Sequence, residues 1–286
     1  MPEGDTLFRL ATALRPLEGA TVAGSDLRWP SLATARLEGA RLDSVRAEGK
    51  RLLLTLSSGS RSAVLLSHLR MEGRWEVLDD DAGAARALRS HRVRAVLTLE
   101  QEGRRRLLVG TSLGELRLLP AAEAPRALAH LGEDPLSTTR TFDPARAANL
   151  LTAPLGGASD GSLGAALLDQ RRIAGLGNVL RAEVLFLARM SPWTPLEVIR
   201  DRLEAAAAVV GLSRDVLVAN RARRRKTTPE SWSERYWVYG RDGRPCLYCG
   251  AAVRRAELPG TGGERAVFWC PQCQPEALPG PPRDAG

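Results

Sequence analysis

The sequence predicts an α+β protein: an antiparallel β-layer pair first, then helices, then a small cysteine module. Three observations carry that prediction. Between about residue 20 and residue 119, short β-like runs recur with glycine-containing turns such as SSGS and QEGR between several of them. From residue 143 onward the apolar spacing changes to the helical period. Four cysteines, Cys246, Cys249, Cys270 and Cys273, fall within a 28-residue window near the end.

The chain has 286 residues, enough for two domains and a large core, and its 44% hydrophobic content is ordinary for a globular protein. No stretch approaches the roughly 18 uninterrupted apolar residues of a membrane span. The start, MPEGDTLFRL, lacks the basic and apolar blocks of a signal peptide, so a cytoplasmic location is expected. Net charge is +8 and the sequence pI is about 10.1. Such an excess suits a polyanionic partner, because neutralised phosphates release condensed counterions. Arginine supplies nearly all of it; Lys50 and Lys226 are the two lysines.

Taken in order, residues 3–15 predict an amphipathic helix with Leu7, Leu10, Ala11 and Leu14 on one face. RLLLTL at 51–56, SAVLLSHL at 62–69, RAVLTLE at 94–100 and ELRLLP at 115–120 predict strands of a sandwich or a barrel-like layer pair. The expected organisation is an N-terminal domain over 1–120, a linker over 121–142, a helical domain over 143–235, the cysteine module over 236–274 and a disordered proline-rich tail over 275–286. Within the helical part, helices are expected at 143–152, 163–170, 178–189 and 196–218. LEAAAAVVGL reads as a buried helix, followed by the basic loop RARRRKTTPES.

Each CxxC pair can present two thiolates to one tetrahedral ion, and twenty residues separate the pairs. With four sulfur ligands no open position remains for water, so one structural Zn²⁺ is expected. Between the pairs a β-hairpin is expected, its loop holding Gly260, Gly262 and Gly263, with Arg265 beside it as a phosphate contact or a solvated surface residue.

LLDQRRIAGLGNVLRAEVLF at 167–186 predicts two helices around a tight turn at Gly175 and Gly177. Asn178 suits the cap of the second helix, whose N-terminus is a natural anion site; simple capping explains the turn equally well. Methionine before proline is ordinarily removed, which would free the secondary amine of Pro2; a free α-amine titrates near pH 8, so a usable neutral fraction exists at physiological pH. Such an amine can attack a deoxyribose C1′ and form an iminium, with Glu3 beside it as proton donor. An ordinary helix start with Glu3 as the initiating acid fits the same residues.

These stretches together resemble the formamidopyrimidine-DNA glycosylase/endonuclease VIII family. The matching segments are MPEGDT at 1–6, GKRL at 49–52, HLRMEGRW at 68–75, the 167–186 stretch, and WVYGRDGRPCLYCG through FWCPQCQ at 237–274. The resemblance implies an N-terminal antiparallel β-sandwich flanked by helices, then a helix–two-turn–helix domain with a β-hairpin zinc finger. It implies a bifunctional glycosylase and abasic-site lyase of base excision repair, acting as a monomer on damaged double-stranded DNA at the bacterial nucleoid. Pro2 would be the Schiff-base nucleophile, Glu3 the proton donor and Lys50 a phosphate contact assisting β-elimination, though a strand-edge surface lysine is the plainer reading of Lys50. Asn178 and Arg265 would grip phosphate. Met71, with Arg70 and Glu72 nearby, would fill the space left by a flipped nucleotide, or else Met71 packs in the core. Only about ten residues, KTTPESWSER, separate the basic run from Tyr236. That short loop and the HLRMEGRW sequence lean toward the endonuclease VIII branch and oxidised pyrimidines. The same chemistry on oxidised purines, or a non-catalytic zinc-ribbon DNA-binding protein, are the alternatives.

Overall fold

The computed structural model describes residues 2–80, 82–157, 159, 161–258 and 263–276. Met1, Gly260, Gly262 and most of the proline-rich tail, from 277 onward, lie outside the described residues. The chain divides into two compact units. One comprises Pro2 and Thr6–Ala129; the other comprises Glu3–Asp5 and the chain from His130 onward. The second boundary falls inside the 121–142 segment.

The first unit is built on eight antiparallel strands. They are β1 (Thr21–Leu27), β2 (Arg41–Glu48), β3 (Arg51–Ser58), β4 (Arg61–His68), β5 (Arg74–Asp79), β6 (Val93–Gln101), β7 (Arg104–Thr111) and β8 (Glu115–Pro120). Their order is β5-β7-β6-β1-β2-β3-β4-β8. Strands β1 and β2 meet only at Thr21↔Arg41, so the sheet folds there into two four-stranded layers. Strand alternation explains how the layers bury their faces. Leu52, Leu54 and Leu56 of β3 point into the shared core with Leu65, Trp75, Leu97, Leu99 and Leu108, while Leu53 points the other way.

Helices flank the sandwich, as expected. Helix α1 (Gly4–Leu14) sends Leu7, Ala11 and Leu14 into the sandwich core. Helix α2 (Ala82–Ala87) contributes Ala84 to a cluster with Val93, Val96, Leu107 and Val109. Helix α3 (Ala124–Leu128) covers Leu53, Val64 and Leu66.

The second unit contains α4 (Pro144–Thr152), α5 (Leu163–Ala166), α6 (Asn178–Leu187), α7 (Leu196–Arg200) and α8 (Leu203–Asn220). Two helix expectations change. The stretch 163–170 is helical only to Ala166. The stretch 196–218 is two helices, because Arg202 adopts φ −129° and ψ 74° and breaks the hydrogen-bond ladder. Helix α8 buries one face, through Ala206, Val209, Val210 and Ser213, while Leu203 is 64% exposed. The last element is the hairpin of β9 (Arg254–Leu258) and β10 (Arg265–Trp269), paired from Arg265↔Leu258 to Trp269↔Arg254. Among the described residues, no helix is long and apolar enough to cross a membrane.

Candidate active site and metal centre

Glu3 is fully buried, and its surroundings explain why a carboxylate can be there. Its Oε1 accepts the Val179 N–H at 2.8 Å and its Oε2 accepts the Leu180 N–H at 3.2 Å. Those are free donors of the first turn of α6, where the helix dipole also favours negative charge. By sequence, Asn178 suits the cap of this helix. The structure corrects this: Gly177 is the capping position, it offers no side chain, and Glu3 supplies the acceptor from a distant part of the chain. The anion site expected at this helix end is thus filled by the protein's own carboxylate.

The glycine turn is shaped around that carboxylate. A β-carbon on Gly177 would lie 2.5 Å from the Glu3 side chain, and one on Gly4 would lie 2.8 Å from the Gly175 Cα. Gly175 also adopts φ 95°, the left-handed region that favours glycine. Gln170 fixes the turn, accepting the Gly175 N–H at 3.0 Å and donating to the Leu176 carbonyl at 2.9 Å.

Asn178 is tied to the strand that carries Arg265 through a single peptide carbonyl. The Asn178 Nδ2 donates to the Ala266 oxygen at 2.8 Å, and buried Arg181 donates to the same oxygen at 2.9 Å and to Asn178 Oδ1 at 2.5 Å. Arg265, next in the chain, is exposed. Burial drives the Arg181 guanidinium down to about 10, against the pull of Glu3. Glu183, also on α6 and fully buried, accepts the Trp237, Val238 and Tyr239 N–H groups and the Thr227 hydroxyl. Burial raises the proton affinity of Glu183 above the ordinary carboxylate range.

Among the described residues, the four cysteines form a tight cluster of potential ligands. Their sulfurs all lie within 4.8 Å of one another, with Cys246–Cys273 at 3.9 Å and Cys249–Cys270 at 3.4 Å. A tetrahedron of thiolates around an ion at about 2.3 Å has edges near 3.8 Å, so the set fits a four-sulfur metal site and is too open for disulfides. Backbone N–H groups of Tyr248 and Cys273 point at the sulfurs of Cys246 and Cys270. Gln274 ties the module to the end of α6, bonding the Cys270 N–H and the Met190 carbonyl.

In the first unit, Pro2 is half-buried and Lys50 is half-buried in the turn between β2 and β3. Met71 is 61% exposed, which rules out the core-packing alternative. Arg70 is exposed, has φ 52°, and lays its stem across Gly114, where a β-carbon would lie 2.3 Å from Arg70 Cγ.

Family models for the formamidopyrimidine-DNA glycosylase N-terminal domain and H2TH domain match residues 1–110 and 131–219. A probable endonuclease 8 2 of Streptomyces coelicolor is 39% identical over 98% of this chain and 96% of its own. The chain belongs to the formamidopyrimidine-DNA glycosylase family. A DNA-(apurinic or apyrimidinic site) lyase of Mycolicibacterium smegmatis is likewise 39% identical, over 96% of this chain and 99% of its own. The fold resembles that of the Lactococcus lactis formamidopyrimidine-DNA glycosylase solved with abasic-site DNA. That likeness has a TM-score of 0.74 at 22% identity and covers 96% of this chain and 99% of the other.

Three further titratable residues, which the sequence alone does not single out, line the interior of this family member. His68 ends β4 opposite Arg51, and its Nδ1 accepts the Arg70 N–H at 2.9 Å. Burial, then Arg51, Lys50 and Arg70, push the imidazole down to about 4, so it is neutral near pH 7. Arg181, on α6, is buried with Asn178 and the Ala266 carbonyl, and Arg225 is buried against the Glu3–Asp5 segment. The histidine stood inside HLRMEGRW, a stretch already singled out; nothing local distinguishes Arg225 from its exposed arginine neighbours.

Proposed function

We propose that this protein is a bifunctional DNA glycosylase and abasic-site lyase of base excision repair that removes oxidised pyrimidines. The observation that carries the reading is a buried carboxylate, Glu3, fixed by two helix N–H groups directly after Pro2. The relatives named endonuclease 8 2 and abasic-site lyase support the same activity.

In this reading the neutral ring nitrogen of Pro2 bonds to C1′ of the damaged nucleotide as the C1′–base bond breaks. The base leaves with the electron pair and takes up a proton. Glu3 takes the N–H proton from the now cationic Pro2 nitrogen and delivers it to the sugar ring oxygen, the ring opens, and the C1′–nitrogen bond becomes an iminium. The cation acidifies C2′–H; loss of that proton expels the 3′ phosphate, and a second elimination expels the 5′ phosphate. Lys50 holds phosphate beside the lesion and assists the first elimination. Base excision of this kind requires the nucleotide to leave the stack. Exposed Met71 and Arg70 are suited to fill the space it leaves. Exposed Arg265 and Asn178, which donates to the carbonyl of the next residue, Ala266, form the backbone grip.

The cysteine cluster supports one structural Zn²⁺ held by Cys246, Cys249, Cys270 and Cys273; when bound, it supplies folding energy to a segment with little core of its own. The pyrimidine preference is supported by the short connection after α8. Lys226 Nζ there donates to the Glu230 and Trp232 carbonyls, and Thr228 donates to the Glu234 carbonyl, which pins the loop to itself. Bacterial relatives and the basic composition support action on cytoplasmic DNA.

Borohydride reduction on abasic DNA tests the chemistry. A covalent protein–DNA adduct is expected, lost in Pro2→Gly; its absence with protein whose mass shows Met1 removed favours the DNA-binding module instead. Nicking of duplexes carrying thymine glycol, dihydrouracil or 8-oxoguanine tests the substrate class, and faster cleavage at 8-oxoguanine would reverse it.

A further inference from the structure

Arg225 closes an arginine run whose other members, Arg221, Arg223 and Arg224, are exposed, yet it is only 5% exposed itself. A guanidinium gives up its hydration to enter such a site only against compensating charge. Here the charge is Asp5, gripped along one edge of the fork: Nε donates to Oδ2 at 2.9 Å and Nη2 donates to Oδ1. The remaining nitrogen, Nη1, lies 3.8 Å from Oε2 of Glu3. Both carboxylates are fully buried. Burial works against the charge of Arg225, but Glu3 and Asp5 outweigh it and raise the guanidinium's proton affinity above its ordinary value.

The backbone that carries Arg225 is fastened at consecutive residues. Its carbonyl accepts from Arg235 Nη2, and the Lys226 N–H donates to Oδ1 of buried Asn220 at 2.6 Å. Thr227 donates its hydroxyl to buried Glu183, and its carbonyl accepts from Trp237 Nε1 at 3.0 Å. Three successive residues are therefore anchored, and the guanidinium projects from a fixed base. The Glu3–Asp5 segment is held from two sides: by the Gly175–Gly177 turn and the α6 N–H groups on one, and by Arg225 on the other.

We infer that Arg225 is a positioning residue for base excision, its clamp on Asp5 fixing the Glu3 carboxylate where a proton must reach the damaged nucleotide's sugar. The inference rests on the reading of Glu3 as proton donor. Arg225 acts through its contacts with Asp5 and Glu3.

Two activities of one enzyme separate this role from a merely structural one. Excision from a damaged duplex needs proton delivery as the base leaves and the ring opens. A preformed abasic site has no base to lose, and its sugar already equilibrates with the open aldehyde. Single-turnover rates on a thymine glycol duplex and on an abasic duplex are compared for the parent, R225Q, R225K and D5N. In R225Q excision falls about 100-fold, the scale of a misplacement near 1 Å, and its ratio to abasic cleavage falls at least about tenfold. R225K keeps the charge without the fork and recovers part of the loss. D5N, nearly isosteric, loses excision in the same selective way and decides the matter should R225Q fail to fold. An unchanged ratio in D5N and in any folded R225Q overturns the inference, as does a parallel loss of both activities that R225K does not relieve. A parent protein that forms no borohydride adduct overturns the proposed function and this inference with it; a parent that forms one while the variants keep its ratio overturns this inference alone.

Discussion

Gly177 leaves no room for a side chain because Glu3 occupies the space: a β-carbon there would stand 2.5 Å from the carboxyl carbon. Backbone angles are not the reason. Gly177 has φ −127°, which any residue adopts, unlike Gly175 at φ 95°. G177A is therefore expected to push the carboxylate off the Val179 and Leu180 N–H groups. The overpacking costs about 1–3 kcal/mol of stability, and excision slows by about 100-fold for a displacement near 1 Å. Denaturant unfolding and single-turnover excision check both effects. Parental excision in G177A would show that Glu3 tolerates displacement.

His68 gives the first unit a stability that depends on pH. The folded imidazole titrates at about 4, against 6.5 for an unperturbed histidine, chiefly because it is buried beside Arg51, Lys50 and Arg70. As pH falls, the unfolded chain takes up the proton first. The contribution is complete above about pH 6.5 and is lost progressively as pH falls toward 4. H68Q is expected to flatten the fall in melting temperature between those values. A slope equal to that of the parent would remove His68 as its source.

Much of this was legible because it is periodic or local. Alternation in RLLLTL sends Leu52 and Leu54 one way and Leu53 the other, and the structure does the same. The CxxC pairs announced their cluster by spacing alone. What escaped depends on partners distant in sequence. Asn178 looked like a cap because asparagine commonly caps; the actual acceptor, Glu3, comes from the other end of the chain and could not be found by local spacing. Arg225 sits among arginines of identical local character, and only Asp5 sets it apart. The helix expected over 196–218 breaks at Arg202, where no proline or glycine warns of it.

The Asn178–Ala266 bond makes two substitutions separable. R265A removes an exposed charge from β10 and leaves the hydrogen bonds beneath it intact. If Arg265 meets a phosphate, DNA affinity falls and the slope of log K against log salt shrinks by about one. N178A instead strips a partner from buried Arg181 and one donor from the Ala266 carbonyl. Leaving such a buried charge under-bonded costs about 1–3 kcal/mol or more. N178A is thus expected to lower both the melting temperature and DNA affinity, while R265A lowers affinity alone. Equal thermal stability in the two variants would contradict this division.

Metal removal should act on DNA binding through Gln274. The side chain of Gln274 is buried and bonds the Cys270 N–H on one side and the Met190 carbonyl, just past α6, on the other. Loss of the ion from four clustered thiolates would free the 246–273 segment, and with it the strand that carries Arg265 and the carbonyl held by Asn178. A strong chelator, or C249A, is therefore expected to release one zinc per chain and to weaken DNA binding more than R265A does, because the grip loses its backbone as well as its charge. Q274A tests the route: it keeps the four sulfurs but leaves two buried backbone groups without their partner, at a cost of about 1–3 kcal/mol each. Metal content by elemental analysis should stay at one per chain in Q274A while affinity falls part of the way toward that of C249A. Parental affinity in metal-free protein would mean that the hairpin holds its shape by packing of Val253 and Phe268 alone.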